Sequence, residues 1–196
     1  MRETSGNQKS GTEDRILSTA AMQFAQHGYN GVSTRDIASE AGVNEVTIYR
    51  HYPRKRDLYL AVLEKELGTV SLRGDLLAHV AEASDGRTVL ARTFELITKT
   101  LLLNPKLLRL LQYGSLEVSD DLDPLLRRHL GEFVKVISRY LAPWVDKGEL
   151  RCANAEALVL TLIAIVLSHQ PLHRVFPCGI PGPENMFEVY AEFCIQ

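Results

Sequence analysis

Cysteine and long apolar stretches are both scarce in this sequence. Its 196 residues include three cysteines, Cys152, Cys178 and Cys194, and none forms a CxxC pair. An odd number of cysteines without an export signal fits a reducing compartment. The longest uncharged apolar run, Ala157 to Leu167, is shorter than the roughly 20 residues that a membrane span requires, and the polar segment 1–11 lacks a signal peptide's apolar stretch. We therefore expect a soluble, cytoplasmic protein.

An excess of either charge sign is also missing. The formal net charge is -2, with 23% charged and 45% hydrophobic residues, which is typical of a globular protein and argues against general disorder. The overall basic character of many nucleic-acid-binding proteins is absent. A small basic module attached to an acidic domain would average to such a value, so the local distribution of charge matters more.

Strand signals are almost missing, whereas apolar residues recur at helical spacing along nearly the whole chain. We expect an all-α protein with an N-terminal three-helix helix-turn-helix domain and a C-terminal helical bundle. The expected organisation is a flexible tail at 1–11, a first domain at 12–67 and a second at 68–196. The predicted helices are 12–27, 34–40, 45–52, 55–67, 75–83, 87–103, 106–113, 122–145, 155–170 and 184–194.

No set of residues typical of an enzyme is found. The sequence has no nucleophile elbow, no phosphate-binding loop and no paired-carboxylate motif. His169 and His173 have the i,i+4 spacing of two metal ligands, with Cys178 nearby. Pro171 lies between the two histidines and is expected to interrupt the helix. We therefore predict no enzymatic activity, no cofactor and no metal site.

The segment from Ser33 to His51 has the pattern of a helix-turn-helix. Ser33 and Asp36 form a capping box that begins the first short helix. Ala38 is small enough for two helices to cross closely, and Gly42 permits the positive φ of a tight turn. Asn44 caps the next helix, whose Ile48 returns to the same core. An ordinary αα-corner is the alternative interpretation.

The outward face of this segment favours DNA binding. Asn44 and Thr47 can hydrogen-bond to base edges or phosphates, and Arg50 can do either. Thr34 and Arg35 begin a helix whose N-terminal amides favour a phosphate. Glu45 either accepts from a cytosine amino group or pairs with a neighbouring basic side chain. A local basic cluster accompanies these residues: Arg50, His51, Arg54, Lys55 and Arg56.

The segment from Thr12 to Leu60 resembles the N-terminal domain of the TetR (tetracycline-repressor-like) family. The similarity lies in FAQHGYNGVSTRDIA (24–38), AGV (41–43) and TIYRHYPRKRDL (47–58), although Tyr52 stands where phenylalanine is more usual. The resemblance implies an all-α sensor domain and a homodimer paired through the last two long helices. It also places DNA contacts on Thr34, Arg35, Asn44, Glu45, Val46, Thr47, Tyr49, Arg50, His51 and Lys55, with Tyr49 touching backbone phosphate.

The second half of the chain is suited to sensing and dimerisation. The run Ala157 to Leu167 is apolar on all sides and needs cover on every side, which either a partner subunit or a central position in a bundle provides. Aromatic and hydroxyl side chains on the predicted helices would form a mainly apolar pocket, or serve simply as core. The candidate pocket residues are Phe94, Thr98, Leu101, Leu111, Tyr113, Phe133, Ile137, Tyr140 and Trp144.

The sequence therefore predicts a homodimeric, ligand-responsive transcriptional repressor. It would bind a palindromic, double-stranded DNA operator and be released by a small, largely apolar inducer that moves the fourth helix. Three alternatives stay open: an activator of the same fold, a regulator without ligand control, and a helical enzyme or interaction module with an incidental αα-corner.

Overall fold

The structure is a computed structural model that describes residues 4–69, 74–102, 104–175 and 187. Within these ranges the chain is helical and forms no β-strand, so the predicted all-α class is confirmed. The helices are α1 (Thr4–His27), α2 (Thr34–Ala41), α3 (Glu45–His51), α4 (Lys55–Gly68), α5 (Gly74–Ala81), α6 (Gly86–Leu102), α7 (Pro105–Glu117), α8 (Ser119–Asp146) and α9 (Ala155–Val175).

The first helix begins earlier than predicted. We expected Thr12 to cap its N-terminus, but α1 already begins at Thr4. The segment before Thr12 contains no proline, and its two glycines cost only about 1 kcal/mol each in a helix. Nothing in that segment therefore forces a helix start at Thr12. The predicted end is confirmed, because Gly28 follows the helix with a φ of 75°.

The chain divides into two compact units. The first comprises residues 1–70 and 105–127, and the second comprises residues 71–104 and 128–196. The predicted boundary between 67 and 68 stays a prediction. The division into units differs from a single cut in the chain: α7 and the start of α8 belong to the same unit as the N-terminal helices.

Tyr59 of α4 ties that helix to α7 within the first unit. Its ring is fully buried and meets Phe24 of α1 edge to face, with 4.9 Å between the ring centroids. Its hydroxyl donates to the carbonyl oxygen of Leu110 at 2.6 Å. Lys106 of α7 adds an ion pair with Glu66 of α4 at 2.7 Å. These contacts hold α1, α4 and α7 together around one core.

The second unit has an apolar core formed by α5, α6, α8 and α9. Leu96, Ile97, Ile137 and Leu141 are completely buried there. Asn154 caps α9 as predicted, since its Oδ1 accepts from the amide of Ala157 at 2.8 Å. No helix among the described residues is long and apolar enough to cross a membrane.

One proline prediction needs correction. Pro171 was expected to interrupt the helix between His169 and His173, but α9 continues to Val175. A proline removes only its own amide donor, and a helix can pass through it when packing supports the turn. The predicted helix 184–194 lies outside the described residues except for Phe187, which is helical.

Candidate nucleic-acid interface

The turn between α2 and α3 has the predicted geometry. Ser33 Oγ accepts from the amide of Asp36 at 3.1 Å, and the Asp36 carboxylate accepts from the amide of Ser33, which completes the capping box. Gly42 ends α2 with a φ of 65°. The amide of Val43 then donates to the carbonyl of Ala38 at 3.0 Å. This pattern closes the end of α2 and turns the chain into α3.

Helix α3 has one side fixed in the core and one side open to solvent. Asn44 Oδ1 accepts from the amide of Val46 at 2.9 Å and begins the helix, as predicted. Ile48 is fully buried, whereas Val46 is 72% and Tyr49 is 45% exposed. Val46 and Tyr49 are three residues apart and are therefore neighbours on the helix surface. Asn44 and Arg50 share the exposed side.

Glu45 has a partner that the sequence did not indicate. Its Oε1 accepts from Thr34 Oγ1 at 2.7 Å, and the same Thr34 oxygen lies 2.9 Å from the hydroxyl of Tyr49. Thr34 begins α2 and is only 6% exposed. Three residues that the resemblance assigns to DNA binding are thus joined in one hydrogen-bonded chain, which links the two helices of the motif.

The predicted basic cluster is less uniform than its sequence suggests. Arg54 pairs with Asp57 through two hydrogen bonds of 3.0 and 2.7 Å. The hydrogen bonds from Arg54 lower the pKa of the Asp57 carboxyl, which also accepts from the Arg54 amide at the start of α4. Lys55 Nζ instead lies 4.3 Å from the centroid of the Tyr29 ring. The contact with the Tyr29 ring therefore holds the Lys55 side chain in place at the beginning of α4.

The tyrosine that replaces the usual phenylalanine has a structural role. Tyr52 is 8% exposed, and its hydroxyl donates to Glu13 Oε1 at 3.0 Å. Burial, followed by the hydrogen bond to Glu13, raises the pKa of Tyr52 well above its usual value. The contact joins the end of α3 to α1.

The candidate pocket residues do not all lie in one unit. Leu111 and Tyr113 belong to α7 and the first unit. The other seven belong to the second unit, where some are core residues and others pack against that core: Phe94, Thr98, Leu101, Phe133, Ile137, Tyr140 and Trp144.

Two threonines of α6 are unusual within the second unit. Among the described residues, Thr93 and Thr98 each have a buried hydroxyl oxygen without a hydrogen-bond partner. Thr100 shows the ordinary alternative, because its hydroxyl donates to the carbonyl of Leu96 at 2.7 Å. A buried hydroxyl without a partner costs about 1–3 kcal/mol. A bound polar group would remove that cost.

Several of these roles were missed by reasoning from the sequence. Tyr29, Glu13 and Thr93 were not among the candidate site residues. Tyr29 and Glu13 contact partners that are distant in sequence, and no local pattern reveals such contacts. Thr93 had a weak signal, since it lies beside Phe94 on a helix where an apolar residue is expected. The described residues contain no group of three or more His, Cys, Asp or Glu side chains suited to a metal ion.

The capped turn, the buried Ile48 and the exposed side of α3 define a helix-turn-helix protein. Residues 16–62 match the family model described as bacterial regulatory proteins, tetR family. This match confirms, for the N-terminal domain, the resemblance predicted from the sequence.

Two curated relatives each match part of this chain. An HTH-type transcriptional repressor of Streptomyces coelicolor is 41% identical over 56 residues, which cover 29% of each chain. The HTH-type transcriptional activator FasR of Mycolicibacterium smegmatis is 36% identical over 53 residues, which cover 27% of this chain and 24% of FasR. The chain thus spans less than a third of the length of either relative.

A solved structure is similar over nearly the whole chain. It is a protein of Saccharomonospora viridis, described as a transcriptional regulator in complex with choline. The TM-score is 0.71 at 23% identity, and the match covers 95% of this chain and 99% of the other. At this identity the likeness extends the common fold from the N-terminal domain to the helical C-terminal half.

Proposed function

We propose that this chain is a transcriptional repressor that binds a palindromic DNA operator as a homodimer and releases it when a small, largely apolar inducer binds. The observation that carries the proposal is the two-sided character of α3. Ile48 is fully buried, while Val46 and Tyr49 are exposed beside Asn44 and Arg50. In a major groove, arginine and asparagine can read base edges, and an exposed valine can contact a thymine methyl group.

Further residues would hold the backbone of the DNA. The N-terminal amides of α2 favour a phosphate beside Thr34 and Arg35. Lys55, kept in place over Tyr29, offers a second cationic contact. Contacts of this kind set the register of a protein on DNA, while the base contacts of α3 supply the specificity.

Dimerisation is supported by one exposed strip of α9. Val159, Leu162 and Ile163 face the core of the second unit. Leu160 is 53% exposed, although it lies within the uncharged apolar run from Ala157 to Leu167, and Ala164 is also exposed. A second copy of the chain would bury this strip around a two-fold axis.

Inducer binding is assigned to the second unit. Its apolar core and the unpartnered hydroxyls of Thr93 and Thr98 suit a ligand with one or two polar groups. The described residues of this core include no buried Lys, Arg, Asp or Glu side chain, which favours an uncharged ligand. DNA and ligand would then weaken each other's binding equally, through a coupling of typically about 1–3 kcal/mol.

Activation of transcription is the second candidate function. The observation that favours it is the match to FasR, which is named as an activator. The repressor from Streptomyces coelicolor matches slightly more of the chain. A regulator without ligand control is a further variant of the same proposal.

Gel-shift titration with DNA from upstream of the protein's own gene tests the proposal. Salt-sensitive, saturable binding is expected, and unrelated DNA of the same length serves as the control. No salt-sensitive binding would favour an enzyme or interaction module with an incidental αα-corner. A reporter gene downstream of the bound DNA then separates the two directions of control, because a repressor lowers expression and an activator raises it.

A further inference from the structure

The hydrogen-bonded chain between α2 and α3 has a defined direction. Thr34 Oγ1 donates to Glu45 Oε1 at 2.7 Å, so the single hydroxyl proton of Thr34 goes to Glu45. The Thr34 oxygen must then accept from the hydroxyl of Tyr49, which lies 2.9 Å away. Both hydroxyl protons are therefore used within the protein.

This arrangement conflicts with a direct phosphate contact. The family resemblance assigns both Thr34 and Tyr49 to DNA contacts, with Tyr49 touching backbone phosphate, and the proposed function places a phosphate beside Thr34. While the chain is intact, neither hydroxyl has a proton to donate to a phosphate oxygen. The Glu45 carboxylate also brings a negative charge to the place where a phosphate would approach, and like charges repel most strongly at such short range.

We infer that Glu45 occupies the phosphate-binding hydroxyls of Thr34 and Tyr49 in the free protein and competes with the DNA backbone for them. The inference rests on the proposed DNA-binding function. Phosphate contacts are the same for every DNA sequence. By weakening them, Glu45 increases the share of the binding free energy that comes from base contacts, and in this sense it is a specificity residue. Only a site that also supplies good base contacts to α3 compensates for the displacement of Glu45.

The most direct test removes the charge of Glu45 and keeps its shape. For Glu45→Gln we expect binding to both upstream and unrelated duplex DNA to tighten by a similar factor, roughly three- to tenfold at 0.1 M salt. The plot of log affinity against log salt should steepen by about one unit. Fluorescence anisotropy with labelled duplexes at several salt concentrations measures both quantities.

A matched control separates this effect from a general change of charge. Glu40 is exposed at the end of α2 and accepts from Gln23 instead of from Thr34. Glu40→Gln removes the same charge from the same helix pair at a position that does not contact Thr34. We expect a clearly smaller gain in affinity for this variant. An equal gain would overturn the inference, since it would show a non-local charge effect.

A double-mutant cycle tests the competition itself. Thr34→Val should reduce DNA affinity less in the wild-type background, where Glu45 accepts the Thr34 hydroxyl proton, than in the Glu45→Ala background. It should reduce affinity several-fold in the Glu45→Ala background, where the hydroxyl is available to phosphate. Equal losses in the two backgrounds would contradict the competition.

The outcomes also distinguish this inference from the function on which it rests. If neither wild type nor Glu45→Gln binds any DNA, the proposed function fails and the inference fails with it. If wild type binds and Glu45→Gln has unchanged affinity, the inference alone is wrong. Weaker binding of Glu45→Gln to the upstream DNA only would show that Glu45 reads a base, which also overturns the inference.

Discussion

At the scale of single residues, the interface depends on side chains that are held in place by others. Lys55 lies over the Tyr29 ring, and Tyr52 donates to Glu13. A positioned side chain loses less conformational freedom when it binds a phosphate or a base than one that moves freely in solvent. Because folding has already ordered these side chains, less conformational entropy is lost when they bind DNA.

Replacing Lys55 or Arg50 by alanine is expected to affect DNA binding in two different ways. Lys55→Ala should weaken binding to all DNA sequences and lower the salt slope by about one unit, because it removes a phosphate contact. Arg50→Ala should cost about 1–3 kcal/mol and relax specificity at one base position, because a base contact is lost. Anisotropy titrations against the operator and single-base variants measure both effects. Full-affinity binding by both variants would show that this face does not bind DNA.

Tyr52 gives the fold a dependence on alkaline pH. Its pKa is raised in the folded state, so its contribution to stability is complete below about pH 10 and is lost as the pH rises through the folded-state pKa. Tyr52→Phe should cost about 1 kcal/mol at pH 8 through the lost hydrogen bond and should lose less stability than wild type between pH 9 and 11. Urea unfolding across this range measures the difference, with Tyr140→Phe as control. Equal alkaline losses in Tyr52→Phe and wild type would contradict this role.

At the scale of elements, the turn of the motif depends on one backbone conformation. Gly42 has a φ of 65°, and an added Cβ would meet nothing within 4 Å. The restriction at this position is therefore conformational and not steric crowding by neighbours. For an L-residue the left-handed region costs about 1–2 kcal/mol, and a β-branched side chain fits it worst.

Gly42→Val should destabilise the first unit and abolish operator binding while the dimer persists. Asparagine tolerates the left-handed region, so Gly42→Asn should retain most of the affinity. Gel shift and size-exclusion chromatography on both variants test this expectation. Normal operator binding by Gly42→Val would mean that the turn does not position α3.

Local sequence patterns predicted the helix-turn-helix motif well. Features that depend on contacts between residues far apart in the sequence could not be predicted. The capping box at Ser33, the glycine at 42 and the cap at Asn44 each act within a few residues, so the sequence alone indicated them. The packing of α7 with the first unit depends on Tyr59, whose partner Leu110 is far away along the chain. No local pattern reveals that contact. The placement of Leu111 and Tyr113 with the first unit follows from the same packing.

At the scale of the whole molecule, the proposed ligand regulation requires that the second unit influence the first. Helix α7 belongs to the first unit, but the chain on both sides of residues 105–127 belongs to the second. Tyr59 and the Glu66–Lys106 ion pair join α7 to α4. A ligand that shifts the ends of this segment would therefore act on α4, which directly follows α3 along the chain.

Dimerisation is expected to depend on the exposed strip of α9. Leu160→Glu should yield folded monomers, because the added charge would face its own copy across the two-fold axis. Ile163 is 6% exposed in the core, so Ile163→Glu should instead unfold the second unit. Light scattering with circular dichroism separates the two outcomes. A folded Leu160→Glu variant that stays dimeric at micromolar concentration would place the interface elsewhere.

Hydroxyl-radical footprinting of wild-type protein on its upstream DNA tests the central claim most directly. Two recognition helices of a homodimer should protect two segments about one helical turn apart, roughly 34–36 Å between centres or a multiple of it. Protection should weaken when the inducer, identified from material that co-purifies with the protein, is added. Protection of one segment only, or none at any salt concentration, would contradict the account of a homodimeric operator-binding regulator.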